Sequence, residues 1–168
     1  WACLKFSRNL LRGSSMIGGA FLLLGIAAFI ARGGINIDQP RFDNDWKELQ
    51  QWVAQNTDND VMIIVPPQEP GFRVLSMRST YGDWYDGTKA FFSEEYAQYW
   101  LHHMQMLNCT NPDSLREDYL ANNESDFLRI AQNLENTHSK VLVVNYTDSQ
   151  LDFPVQYHNG SFKLYAVQ

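Results

Sequence analysis

Cysteine is scarce in this sequence, and its scarcity excludes two classes of small protein. Only Cys3 and Cys109 occur among the 168 residues. A disulfide-stapled domain needs several cysteines, and a zinc site needs Cys or His residues at paired spacings. The histidines offer no such spacing, because the adjacent His102 and His103 would point to different faces of a helix. We therefore predict no metal site.

The signature motifs of common enzyme classes are missing as well. The chain has no phosphate-binding loop, no GxGxxG fingerprint, no GxSxG elbow and no reactive-cysteine signature. We therefore predict no cofactor, and no nucleophile, base and orienting group can be assembled into a self-contained enzyme. Basic clusters are missing too, since the chain after residue 33 carries nine basic and nineteen acidic side chains. Nucleic acid is not an expected partner, because phosphate contacts need clustered Lys and Arg.

One long uncharged stretch lies near the start of the chain. "GSSMIGGAFLLLGIAAFIA", Gly13 to Ala31, has nineteen residues without a charge. A helix of this length, at about 1.5 Å per residue, nearly crosses the ~30 Å hydrocarbon layer of a membrane. A secretory signal peptide is the closest alternative, but the stretch lacks a clean small-x-small cleavage site. We predict a transmembrane helix over residues 13–32, and the start at Trp1 rather than Met leads us to expect that it is the last of several.

The charges that flank this stretch predict its orientation. The first 33 residues hold four basic side chains and no acidic one, and three of the four precede the apolar stretch. Basic flanks favour the cytoplasmic side of a membrane. The predicted organisation is a cytoplasmic flank (1–12), the transmembrane helix (13–32), a polar linker (33–44) and an extracytoplasmic α/β domain (45–168).

Hydrophobic patterns predict a mixed sheet within that domain. "VMIIVPP" is a continuous apolar run, typical of a strand that is buried on both faces. "FRVLSMRSTYGDW", residues 72–84, alternates in part and predicts a second strand with its exit. A helix capped by Ser93 should bury a stripe that includes Phe92. Three strands close the chain, and the Asn-Gly pair in "YHNGSF" predicts that the last two form an antiparallel hairpin.

The stretch "PPQEPGFRVLSMRSTYGDWYDG", residues 66–87, carries the densest chemistry. Ligands in open α/β sheets bind outside the carboxyl ends of the strands, and this stretch follows the first predicted strand. A purely structural interpretation is that "PPQEPGFR" forms a stiff turn whose arginine, Arg73, pairs with Asp83 or Asp86 and so connects two loops. Two of its carboxylates could instead act as acid and base in sugar chemistry, and its aromatic side chains could stack on sugar rings. The predicted substrate-binding residues are Glu69, Arg73, Arg78, Asp83, Trp84 and Asp86.

A family resemblance is carried by "WKELQQWVAQNTDNDVMIIVPPQEPGFRVLSMRSTYGDWYDG" and by the ending "FPVQYHNGSFKLY". These segments resemble the part that follows the last membrane helix in bacterial polytopic proteins related to the C-type glycosyltransferase superfamily. The resemblance covers roughly residues 44–87 and 151–168. It implies an integral protein of the bacterial inner (plasma) membrane whose C-terminal domain lies outside the cytoplasm. It also implies three partners: the lipid bilayer, the upstream transmembrane part of the same protein and a lipid-linked sugar.

Two functional hypotheses follow. In the first, the chain is the C-terminal outer domain of an integral membrane protein that handles lipid-linked sugars, and its catalytic residues lie upstream of this chain. In the second, it is a non-enzymatic, membrane-anchored structural or binding domain of the cell envelope.

Overall fold

A five-stranded mixed sheet organises residues 44–134 and 137–167, which are the residues that the computed structural model describes. Its strand order is β2-β1-β3-β5-β4, in which β1 pairs parallel with β2 and β3, and β5 pairs antiparallel with β3 and β4. In chain order the elements are α1 (Asn44–Asn56), β1 (Met62–Ile64), α2 (Phe72–Ser76), β2 (Ser79–Tyr81), the 3₁₀ helix η1 (Trp84–Phe91), α3 (Glu94–Met106), α4 (Leu115–Leu120), α5 (Glu124–Leu134), β3 (Val141–Tyr146), β4 (Val155–His158) and β5 (Phe162–Val167). The α/β class, the mixed sheet and the C-terminal hairpin are confirmed.

The predicted fold class needs correction in its first element, the membrane helix. Within 44–134 and 137–167, no helix combines the length and the apolar character that a membrane crossing requires. The longest helices of these ranges, α1 and α3, have 13 residues each. Such a helix is about 20 Å long, against the ~30 Å hydrocarbon layer. The predicted segments 1–12 and 13–32, and the linker up to residue 43, lie outside the described residues.

Helices cover both faces of the sheet. On one face, α1 contributes Trp46, Leu49 and Val53 to a core that Phe72 of α2 joins. On the other face, α3, α4 and α5 pack against alternate residues of β1, β3 and β5. Every residue of β1 and β3 is buried, as the continuous apolar runs predict for strands covered on both sides.

The prediction of a strand over 72–84 is largely wrong. Residues Phe72–Ser76 form the short helix α2, and only Ser79–Tyr81 form a strand. The residues that flank α2, Gly71 and Met77, both adopt left-handed backbone conformations, with φ of 77° and 52°. Met77 ends the helix in this conformation, so the strand that follows begins only at Ser79.

The helix α3 begins as predicted but buries a different stripe. The Ser93 side chain accepts a hydrogen bond from the backbone N–H of Tyr96, which satisfies one of the unpaired donors of the first turn. Phe92 was expected on the buried stripe, yet it is 91% exposed. It lies before the first turn of α3 as the C-cap of η1, so the helical periodicity does not extend to it.

Candidate functional site

The carboxyl ends of β1 and β3 flank a topological switch point. The chain leaves β1 toward α2, whose Phe72 packs on the α1 face. The chain leaves β3 in the opposite direction, because Leu151 and Phe153 pack on the face covered by α3, α4 and α5. Adjacent parallel strands whose loops diverge in this way leave a crevice between them, which is the usual ligand site in open α/β sheets.

Two pockets in the described part of the chain are lined by both charged and aromatic side chains. The first, which we call the switch-point pocket, is a cavity of about 360 Å³ lined by Glu69, Arg116, Tyr146, Thr147, Asp148, Gly160, Ser161 and Phe162. The second, the aromatic pocket, is a cavity of about 320 Å³ beside β2, η1 and α3. It is lined by Met62, Arg73, Ser79, Thr80, Gly82, Asp83, Asp86, Lys89, Tyr96, Tyr99, Trp100, His103 and Met104.

A cluster of four charged side chains lines one wall of the aromatic pocket. The Nη2 atom of Arg73 contacts the Oδ2 atoms of both Asp83 (3.4 Å) and Asp86. Lys89 Nζ donates to the other oxygen of Asp86 at 2.8 Å. Asp83 also caps η1, since its Oδ1 accepts from the backbone N–H of Tyr85. These contacts fix both carboxylates relative to the pocket.

The environments of the two aspartates move their pKa values apart. Burial raises the pKa of Asp83, and the adjacent Asp86 carboxylate raises it further, against the hydrogen bonds from Tyr85 and Arg73. Burial also acts to raise the pKa of Asp86, but hydrogen bonds from Lys89 and Arg73 outweigh it, so the pKa of Asp86 lies below its ordinary value. The difference arises because Asp86 has two cationic partners and Asp83 is the more deeply buried.

Aromatic side chains also line the aromatic pocket, among them Tyr96, Tyr99 and Trp100 of α3. The His103 ring contacts two tyrosine rings: Tyr81, with centroids 4.0 Å apart, and Tyr99, with centroids 4.1 Å apart. Burial, with the neighbouring His102, lowers the pKa of His103 to about 4, so this imidazole is neutral at neutral pH. Trp100 is held by a hydrogen bond from its Nε1 to the backbone carbonyl of Asp83.

A hydrogen-bonded network forms the base of the switch-point pocket. The hydroxyl of Tyr146 donates to Glu69 Oε1 at 2.9 Å and accepts from the Gln68 side chain. The guanidinium of Arg116 stacks on the Tyr146 ring, 4.0 Å from its centroid. Burial raises the pKa of Tyr146, and the Glu69 carboxylate raises it further, so this phenol stays a neutral donor.

The structure separates the six predicted substrate-binding residues into three groups. Arg73, Asp83 and Asp86 come together in the aromatic pocket, where the predicted pairing of the arginine with an aspartate is confirmed. Glu69 lines the switch-point pocket instead. The other two, Arg78 and Trp84, line neither pocket.

Arg78 and Trp84 have structural contacts that account for their positions. Arg78 is buried and donates to the backbone carbonyls of Ala54 and Thr57, at the end of α1. The ring of Trp84 packs edge-on against Trp100, with centroids 5.2 Å apart. The structure thus gives both residues a role in shaping the domain.

Several pocket residues were missed by sequence reasoning. Arg116 and Tyr146 lie 47 and 77 positions after Glu69, and no local pattern connects them. Tyr99 and His103 share one face of α3 at a spacing of four residues, a signal that equally fits a core stripe. Lys89 follows Asp86 by three residues in the sequence, and that spacing was the one available sign of their ion pair.

A family model described as "Domain of unknown function (DUF6798)" matches residues 44–107. The match spans α1 to α3 and contains every residue that lines the aromatic pocket. No curated protein and no solved structure matches the chain. The resemblance to C-type glycosyltransferases, the inner-membrane location and the predicted partners therefore stay predictions.

Proposed function

We propose that the described domain binds carbohydrate in the aromatic pocket. The observation that carries this proposal is that one cavity is lined both by charged side chains held in place by ion pairs and by aromatic rings. Sugar rings present hydroxyl groups around their edge and a C–H face of partial positive charge, and the faces of aromatic rings are partially negative. A volume of about 320 Å³ lies at the lower end of the range for small-molecule sites.

The charge balance of the aromatic pocket favours a neutral ligand. Its two cationic side chains, Arg73 and Lys89, are matched by Asp83 and Asp86. His103 adds no charge at neutral pH, because its pKa is lowered to about 4. The pocket therefore offers charged donors and acceptors without demanding a charged partner, which suits sugar hydroxyls, since each both donates and accepts.

The geometry supports binding more than hydrolysis of a glycosidic bond. In glycosidases the two catalytic carboxylates lie on either side of the scissile bond. Here Asp83 and Asp86 contact the same nitrogen of Arg73, so they lie on one side of the pocket and the guanidinium occupies the space between them. This corresponds to the second sequence-based hypothesis, a non-enzymatic binding domain.

Calorimetric titration with a panel of neutral mono- and disaccharides tests the proposal. Tyr99 and Tyr85 make a matched pair, since they are 57% and 56% exposed and only Tyr99 lines the pocket. We expect Tyr99→Ala to weaken binding of the best sugar by about tenfold, and Tyr85→Ala to leave the Kd unchanged. Equal losses in the two variants, or release of reducing sugar from a disaccharide, would contradict the proposal.

A further inference from the structure

The switch-point pocket has no part in the carbohydrate proposal, yet it occupies the crevice where open α/β sheets usually bind ligands. It is lined by residues from distant parts of the chain: Glu69 follows β1, Arg116 lies in the first turn of α4 and Tyr146 ends β3. The network around the Tyr146 hydroxyl joins the loop after β1 to the end of β3. The crevice is therefore held in shape before any ligand arrives.

Arg116 presents a guanidinium that has no direct ion-pair partner among the described residues. Its guanidinium stacks on the Tyr146 ring, and it forms no ion pair or hydrogen bond with residues 44–134 or 137–167. Stacking fixes the plane of the guanidinium, while its N–H groups stay available. A planar guanidinium held in this way is suited to bidentate binding of a carboxylate.

Two carboxylates line the same cavity without pairing with Arg116. Glu69 is positioned by the hydrogen bond from Tyr146 to its Oε1, and its Oε2 has no hydrogen-bond partner among the described residues. Asp148, the second residue after β3, forms no ion pair there either. The cavity is therefore lined by one cationic and two anionic side chains that form no ion pair with one another.

We propose that the switch-point pocket binds a small zwitterion of the amino-acid type, with its carboxylate on Arg116 and its ammonium group toward Glu69 and Asp148. A ligand with both charges matches both parts of the cavity. A phosphate or a simple carboxylate would meet Arg116 but would be repelled by two carboxylates, and a simple amine would leave Arg116 unused. The cavity of about 360 Å³ has room for a side chain as well.

An NMR titration of the ¹⁵N-labelled protein with single L-amino acids tests this proposal. Acetate and ethylammonium serve as probes that carry one half of the zwitterion each. We expect at least one amino acid, at concentrations up to about 10 mM, to give saturable shifts of the Thr147, Asp148 and Gly160 amides. Neither half-probe should reproduce them at the same concentration.

Variants then separate this proposal from its alternatives. Arg116→Gln and Glu69→Gln should each raise the Kd by at least about tenfold. The Kd of Arg116→Lys should lie between those of the unchanged protein and Arg116→Gln, because lysine keeps the positive charge but lacks the planar guanidinium. Arg129 is exposed on α5 and does not line the pocket, so Arg129→Gln is the control and should not change the Kd. A well-dispersed spectrum for each variant will show that it has folded.

Three results would overturn the proposal: no saturable shift with any amino acid, shifts by acetate equal to those by the best amino acid, or unchanged affinity in Arg116→Gln. Failure here leaves the carbohydrate proposal standing, because the aromatic pocket uses none of these three variant positions. The sugar titration reports on Tyr99 and the charged cluster around Arg73 instead.

Discussion

The two pockets differ in how their charges are arranged. In the aromatic pocket, Arg73 and Lys89 are paired with Asp83 and Asp86 before any ligand binds. In the switch-point pocket, Arg116 is stacked on an aromatic ring and paired with no described carboxylate. The first arrangement fits a neutral ligand bound by directional hydrogen bonds, and the second fits a ligand that brings charges of its own.

This difference also predicts how each pocket responds to salt. Paired charges in the aromatic pocket already screen one another, so ionic strength should change sugar affinity little. Charges in the switch-point pocket act on the ligand directly, and their effect is reduced by salt over a Debye length of about 8 Å at physiological ionic strength. The pockets therefore differ in what pairs with their charged side chains: other side chains of the protein in the aromatic pocket, and the ligand in the switch-point pocket.

The largest effect is expected from Arg78→Met, which should weaken both pockets. Arg78 is 8% exposed and donates to the carbonyls of Ala54, Thr57 and Ser76, so its loss leaves one buried and two partly buried carbonyls without this donor. We expect a loss of about 3 kcal/mol in the free energy of unfolding, measured by urea denaturation. The segment 66–87, which lines both pockets, should lose amide-exchange protection.

Arg129→Met is the control for that experiment. Arg129 is exposed, and its ion pair with Asp126 is a surface pair. Its replacement should therefore change the free energy of unfolding by less than about 0.5 kcal/mol. A similar small effect in Arg78→Met would show that the buried arginine does not hold the segment.

The sequence was sufficient for features that depend on local pattern. The apolar run "VMIIV" predicted a buried strand, and the Asn-Gly pair predicted the hairpin of β4 and β5. The pairing of Arg73 with Asp83 or Asp86 was also accessible, because the residues are only ten and thirteen positions apart. In each case a short stretch contains both the signal and its consequence.

Other features depend on strand order, which no local pattern reveals. Glu69 and Tyr146 meet because β3 lies beside β1, although β2, four α-helices and η1 intervene in the chain. Arg116 joins them through the placement of α4. The strand predicted over 72–84 was wrong because its partial alternation hid the two left-handed turns at Gly71 and Met77. The left-handed conformation of Met77 could not be predicted from the sequence, since few non-glycine residues adopt it.

The next largest effect is expected from Tyr146→Phe, which should affect the switch-point pocket alone. Removing the hydroxyl takes a hydrogen-bond donor from Glu69 and an acceptor from Gln68. We expect a loss of about 1–2 kcal/mol in stability and weaker amino-acid binding, with sugar binding unchanged. Tyr157→Phe is the matched control, because its half-buried ring stacks on Trp52 and its hydroxyl has no hydrogen bond to the described residues. Loss of sugar binding in Tyr146→Phe would show that the pockets are coupled.

The smallest effect on stability is expected from Arg73→Gln, which should act mainly on the pKa values of Asp83 and Asp86. Arg73 is partly exposed, so its ion pairs should contribute less than about 1 kcal/mol. Without the guanidinium, the pKa of Asp83 should rise further, and the pKa of Asp86 should return toward its ordinary value, although Lys89 still lowers it.

The sign of the resulting pH dependence follows from these shifts. A carboxyl whose pKa is lowered by folding stabilises the protein above its unfolded pKa of about 3.9, and this stability is lost as the pH falls through the folded value. Arg73→Gln should therefore reduce the loss of unfolding free energy that protonation of Asp86 causes as the pH falls. A ¹³C NMR titration of the aspartate carboxyls, with urea unfolding at pH 7 and in acid, measures both quantities. Unchanged pKa values for both aspartates would show that Arg73 does not compensate their charge in solution, and the contrast between a pocket with paired charges and one without would then disappear.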